Sequence, residues 1–167
     1  MPTPEPAAFD ICDDAYCALC DRYGDDTDVS RETPIERVVT LVWLTRGAIG
    51  NGFDYLFEGR IPGDPDYKLS IAAYRTIGCH AAADAFEAAI ALFPGGVVPA
   101  DVERPSDHFY DVPEHQRRAA THVYYGAVAD LDERLAAYVL GNRATFGIPP
   151  HDSRWPAFGG RRGDQYG

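Results

Sequence analysis

Wherever apolar residues recur in this chain they recur at helical spacing, and no stretch alternates apolar and polar residues long enough to require a sheet. A stripe that returns every three or four residues is buried by packing against another such stripe, so the core must be built from helices. Residues 9–24 place Phe9, Cys12, Tyr16, Leu19 and Tyr23 on one face and Asp10, Asp14 and Asp21 on the other, until Gly24 ends the run. Thr33-Pro34-Ile35-Glu36 is a capping box with proline at the first helical position. From it Ile35, Val38, Val39, Val42 and Ile49 carry a buried stripe as far as Gly50-Asn51-Gly52.

Asp64 and Pro65 are expected to open a third helix, with Leu69, Ala72, Ala73 and Ile77 inward and Gly78 as its C-cap. A fourth holds Phe86, Ala89, Ile90 and Phe93 on one face and stops at Pro94-Gly95-Gly96. Residues 97–112, with Pro99 and Pro105, read as an acidic surface loop ordered by Phe109 and Tyr110. Asp111 with Glu114 offers a cap for a helix through Ala119, His122, Val123 and Tyr124. Asp130 with Glu133 does the same for a last helix containing Leu131, Leu135, Tyr138, Val139 and Phe146. The 167 residues suit one core. The expectation is therefore an all-α, single compact multi-helix domain of about six or seven helices over residues 1–147. An irregular Pro/Gly-rich tail follows over residues 148–167, pinned by Trp155 and Phe158.

Charge narrows the function classes. The chain has 26 acids against 15 bases, a formal net charge of −11. Glu5, Asp10, Asp13, Asp14, Asp21, Asp25, Asp26 and Asp28 face a single base, Arg22, in the first 28 residues, whereas residues 116–167 hold five acids and seven bases. Such a surface repels nucleic acid and anionic membranes and attracts basic partners, with a strength that salt reduces. No run approaches the roughly 20 apolar residues that would span a bilayer. The opening MPTPEPAAFD has neither the basic segment nor the apolar core of a secretory signal, so a cytoplasmic location is expected.

Few residues invite catalysis. Cys12, Cys17 and Cys20 have the spacing of three ligands of a plant-type two-iron cluster, with Cys79 far downstream. Their spacers are helix formers, and a continuous helix would aim Cys17 away from Cys12, so free thiols are expected. His80 stands one helical turn before Asp84 and two before Glu87; His115 and His122 lie near Asp111 and Glu114. Neither set has a zinc spacing, so no catalytic residue, metal or cofactor is assigned. Arg162-Gly163-Asp164 is an adhesion tripeptide by chance.

The order IERVVTLVWLTRGAIGNGFDYLFEG, then LSIAAYRTIGCHAAADAFEAAIALFPGG, resembles the DMP19-like, or DNA-mimic, protein family over roughly residues 33–146. The matching features are Trp43, the turn and aromatics of Gly50-Asn51-Gly52-Phe53-Asp54 with Phe57, the Ile77-Gly78 helix end, and the stop at Phe93-Pro94-Gly95-Gly96. Members are typically all-helical, and the name comes from a dimeric acidic member that mimics double-stranded DNA to bind a DNA-binding regulator. With the acidic charge, the resemblance suggests an interaction protein, a homodimer in the pattern of that member, whose partner is a basic DNA-binding regulator; the charge alone would equally suit a nuclease. It marks Trp43, Gly50, Asn51, Gly52, Phe53, Phe57 and Gly78 as fold residues.

The reading of the residues beside it assigns partner binding to Asp10, Asp13, Asp14, Asp21, Asp25, Asp26 and Asp28. Carboxylates one helical turn apart lie about 5–6 Å from each other, on the scale at which basic side chains meet phosphates along a duplex. Two alternatives stay open: an immunity-type inhibitor of a nuclease, and a small helical enzyme using His80 or His115 with neighbouring carboxylates.

Overall fold

The computed structural model of the chain describes residues 7–25 and 28–148. Asp26 and the segment from 149 onward, with Trp155 and Phe158, lie outside the described residues. Within them the longer helices are α1 (Ala8–Tyr23) and α2 (Pro34–Ile49), followed by the single turn α3 (Phe53–Leu56) and by α4 (Lys68–Thr76). Then come α5 (His80–Ile90), the single turn α6 (Ser106–Phe109), α7 (Glu114–Ala127) and α8 (Leu131–Gly141). Among the described residues there is no strand, only one isolated bridge between Ile61 and Asp64. None of these helices is long and apolar enough to cross a membrane.

Helix α2 is central, with α1 packed on one side and α4 on another; α8 lies on α1, α5 on α4, and α7 on α5. The capping box fixes where α2 starts: Thr33 Oγ1 accepts from the Glu36 amide at 3.4 Å and Glu36 accepts from the Thr33 amide at 2.9 Å. Val39, Val42 and Ile49 are then fully buried, as the periodicity requires.

The Gly-Asn-Gly break uses its freedom at one position. Gly50 keeps right-handed helical dihedrals, and Asn51 is not at positive φ, whereas Gly52 sits at φ 103°, ψ 160°. Glycine can hold that conformation at little cost. The reversal delivers Phe53 and Phe57, both fully buried, straight back to the core. An added Cβ at Gly52 would meet nothing closer than the Thr121 side chain at 3.8 Å, so any cost of substitution is in the backbone. Gly52→Ala is expected to lower the urea midpoint by the equivalent of about 1–2 kcal/mol with an unchanged denaturant slope.

Other expectations need correction. The third helix begins at Lys68, not at Pro65, because Tyr67 takes a left-handed conformation at φ 60°. Asp64 still caps it, from a distance: its buried carboxylate accepts from the Leu69 amide at 2.9 Å and from the Ser70 amide and hydroxyl at 2.7 Å each. The later start rotates the buried stripe onto Ser70, Ile71, Ala73, Tyr74 and Ile77, leaving Leu69 and Ala72 exposed. On α1 the core face is Ile11, Cys12, Ala15 and Leu19; Phe9 stays outside, and Tyr16 and Tyr23 are half-buried. Asp130 makes no cap; it pairs with Arg134 at 2.7 Å. Pro113 stands at the N-cap of α7, where no side-chain cap forms. Phe109 is fully buried and orders the loop, while Tyr110 is exposed beneath the Arg117 guanidinium, 5.0 Å from its ring centre.

Candidate functional site

Helix α1 presents the acidic stripe. Asp10, Asp21 and Asp25 are exposed, and Asp13 and Asp14 are half-buried. With 1.5 Å of rise per residue, Asp10, Asp14 and Asp21 span about 16 Å of one helix face. Their mutual proximity has an electrostatic signature. The Asp14 carboxyl is pushed above the ordinary aspartate value by partial burial and then by the charges of Asp13 and Asp10.

Several basic side chains are engaged elsewhere. Arg22, in the last turn of α1, pairs with the buried Glu36 and also reaches the Thr145 carbonyl at 3.4 Å. Arg46 pairs with Asp132 at 2.7 Å, Arg117 with Asp54 at 2.5 Å, and Arg118 with Glu114 at 2.6 Å. Arg37 and Arg60 spend their N–H donors on backbone carbonyls. Among the described residues, no ion pair involves Asp10, Asp13, Asp14, Asp21 or Asp25. These five carboxylates therefore carry their charge without a salt-bridge partner among the described residues.

Asp28 plays another part. Its carboxylate accepts from the Ser30 amide at 2.9 Å, and hydrogen bonds from the Ser30 side chain and then from that amide hold its carboxyl below the usual range. A Cβ on Gly63 would come within 2.4 Å of the same carboxylate, which caps the turn that leads to α2 while staying exposed. Sequence spacing alone does not reveal this capping role.

Trp43 lies half-buried on α2, behind the start of α1. Its ring centre is 5.2 Å from that of Phe9 and 6.1 Å from that of Tyr16, and the Arg46 guanidinium sits 5.3 Å from it. These contacts fix the angle at which α1 carries its carboxylates past α2. Gly78, at φ 83°, ends α4.

The histidine constellations do not assemble. His80 is exposed at the start of α5, and Asp84 and Glu87 both turn to Arg75, at 3.0 Å and 2.9 Å. His115 and His122 are exposed on α7. Cys12 is buried, its thiol directed at the Asp132 carbonyl 3.5 Å away, and burial followed by the Asp132 charge pushes it up to about 12. Cys17 and Cys20 are half-buried on the same helix. Among the described residues, no three histidine, cysteine or acidic side chains converge so as to hold a metal ion.

The family described as DMP19-like protein matches residues 30–142, from the entry to α2 to the end of α8. No curated protein and no solved structure matches. The matched segment contains every marked fold residue, and the acidic helix α1 precedes it.

Proposed function

We propose, for a chain that belongs to the DMP19-like protein family, that it is an acidic interaction protein whose α1 face occupies the cationic surface of a DNA-binding protein in place of DNA. One observation carries this reading: five carboxylates of α1 and its C-terminal turn, Asp10, Asp13, Asp14, Asp21 and Asp25, lie without an ion-pair partner among the described residues. A basic groove built for phosphates gains from such a row what it gains from a strand of DNA: charge neutralisation and release of counterions. The partner is a basic regulator or nuclease, and the chain itself does not bind nucleic acid.

The test starts with the whole protein as bait, salt elution of what it captures, and a titration of the eluted protein at several salt concentrations. Asp10, Asp14, Asp21 and Asp25 are then changed together to asparagine. Folding should barely change, because solvated charges typically shift stability by about 0.5 kcal/mol or less each. Association should slow and the salt dependence become shallower. Duplex DNA should compete with the parent protein for the same partner. Unchanged affinity and salt slope in a folded quadruple variant would reduce the acidic stripe to a solubility feature, and partners indifferent to duplex DNA would end the mimicry reading.

A further inference from the structure

A broad groove of about 520 Å³ opens beside the end of α1, between α2 and the segment that follows α3. Its floor is apolar: Leu44 and Ala48 come from α2, Tyr55 from α3, and Ile61 from the turn beyond. Tyr55 is 53% exposed, so its aromatic ring is left in solvent. The rim carries Asp25 and Glu58, both exposed, and neither takes part in an ion pair among the described residues. Arg60 also lines the groove, but its donors are committed to the carbonyls of Pro65 and Val102 at 2.8 Å and to that of Pro99. The groove therefore offers an incoming chain apolar surface flanked by free acceptors. Asp25 belongs to both features, so the groove continues the acidic face of α1.

We propose that this groove receives a cationic amphipathic helix of the partner protein, its apolar row on Leu44, Ala48, Tyr55 and Ile61 and its arginines or lysines against Asp25 and Glu58. The inference rests on the partner being basic, as argued above, and adds how one basic protein is chosen over others. A row of carboxylates attracts any phosphate-binding surface, so charge supplies association rate and little choice. An apolar seat beside it discriminates, since it rewards only a partner with matching hydrophobic side chains. Charge complementarity selects the occupant. A second copy would bring the same acidic rim against this one, and an anionic lipid surface would be repelled in the same way.

The test uses the full chain and two fluorescein-labelled peptides of equal length and equal positive charge. One has leucines at helical spacing; the other has glutamine at those positions. The leucine peptide is expected to bind about tenfold tighter, the equivalent of burying one or two apolar side chains. Tyr55→Ala and, separately, Ala48→Gln should bring the preference down to about twofold or less while the far-ultraviolet circular dichroism stays that of the parent. Neither substitution alters charge, so binding of the glutamine peptide should be unaffected. Equal binding of the two peptides with strong salt dependence would overturn the groove and leave the acidic face standing. A preference that survives both substitutions would overturn the groove as well. Absence of binding by either peptide at low salt would reject both readings.

Discussion

Phe57→Ala is expected to cost the fold about 3–5 kcal/mol, the range for truncating a fully enclosed phenylalanine. The ring is inaccessible to solvent and is the hub of an aromatic group. Its centre lies 5.9 Å from that of Phe53, 5.5 Å from Tyr67, and 4.8 Å from both Phe93 and Phe109. Those four rings come from α3, from the residue before α4, from the turn after α5 and from α6, so one side chain ties together segments that are distant in sequence. Three of the contacts are edge-to-face, an arrangement that adds to the area buried. The Phe57 carbonyl also accepts from the Ser106 amide at 2.8 Å, which pins α6 over the same ring. Chemical denaturation of the parent and the variant would measure the loss. Phe57→Leu, which refills part of the space, should cost less than half as much. A loss of under about 1.5 kcal/mol for alanine would mean that the group collapses around the gap and that the hub is redundant.

Signals confined to a few consecutive residues were readable in advance. The Thr33 box, Pro34 and the Ile35-to-Ile49 stripe delimit α2, and Gly78 marks the end of α4, because a cap acts within one turn of the residue that makes it. The aromatics after the glycine break were legible as core for the same reason. What escaped depends on partners further along the chain. Asp64 looks like a local cap but reaches residues five and six positions on, which a left-handed Tyr67 makes geometrically necessary. Helix α1 is buried against both α2 and α8, so its inward arc is set by two neighbours, and Ile11 and Ala15 displace Phe9 and Tyr16 from it. Asp25 and Asp28 are both exposed and three residues apart, but only the Asp28 carboxylate caps the turn before α2, through the Ser30 amide. The groove has no signature at all in the one-dimensional pattern, since its floor is assembled from α2, α3 and the loop beyond.

Glu36→Ala is expected to be the most damaging polar substitution, about 2–4 kcal/mol, because it leaves several donors without an acceptor. Its side chain is 2% exposed and takes the Thr33 amide at 2.9 Å, the Tyr23 hydroxyl at 3.0 Å and the Arg22 guanidinium. It thus caps α2 and ties it to the last turn of α1. Burial alone would push this carboxyl up, but the bonds from Thr33 and Tyr23 and the charge of Arg22 outweigh that, and it lies below the ordinary 4.5. A group depressed in the fold contributes stability that is fully present above its unfolded value and is lost as the pH falls through the folded one. The stability gap between the parent and Glu36→Gln should therefore be constant above about pH 5.5 and shrink as the pH drops below 4.5. Glu32, four residues earlier, has the opposite sign. Its carboxyl is buried, accepts only from Thr40 at 2.9 Å, and has a second oxygen with no partner among the described residues. Burial, with the charge of Glu36, pushes it up, so whatever it contributes is present at low pH and is lost as the pH rises through its folded value. Glu32→Gln should accordingly gain on the parent as the pH rises above 4.5, whereas Glu36→Gln should lose on the parent only as the pH rises toward 4.5 from below and hold level beyond it. Denaturation midpoints of the three proteins between about pH 3 and pH 8 would decide it. Parallel curves for the two variants would mean that neither carboxylate feels the environment its burial implies.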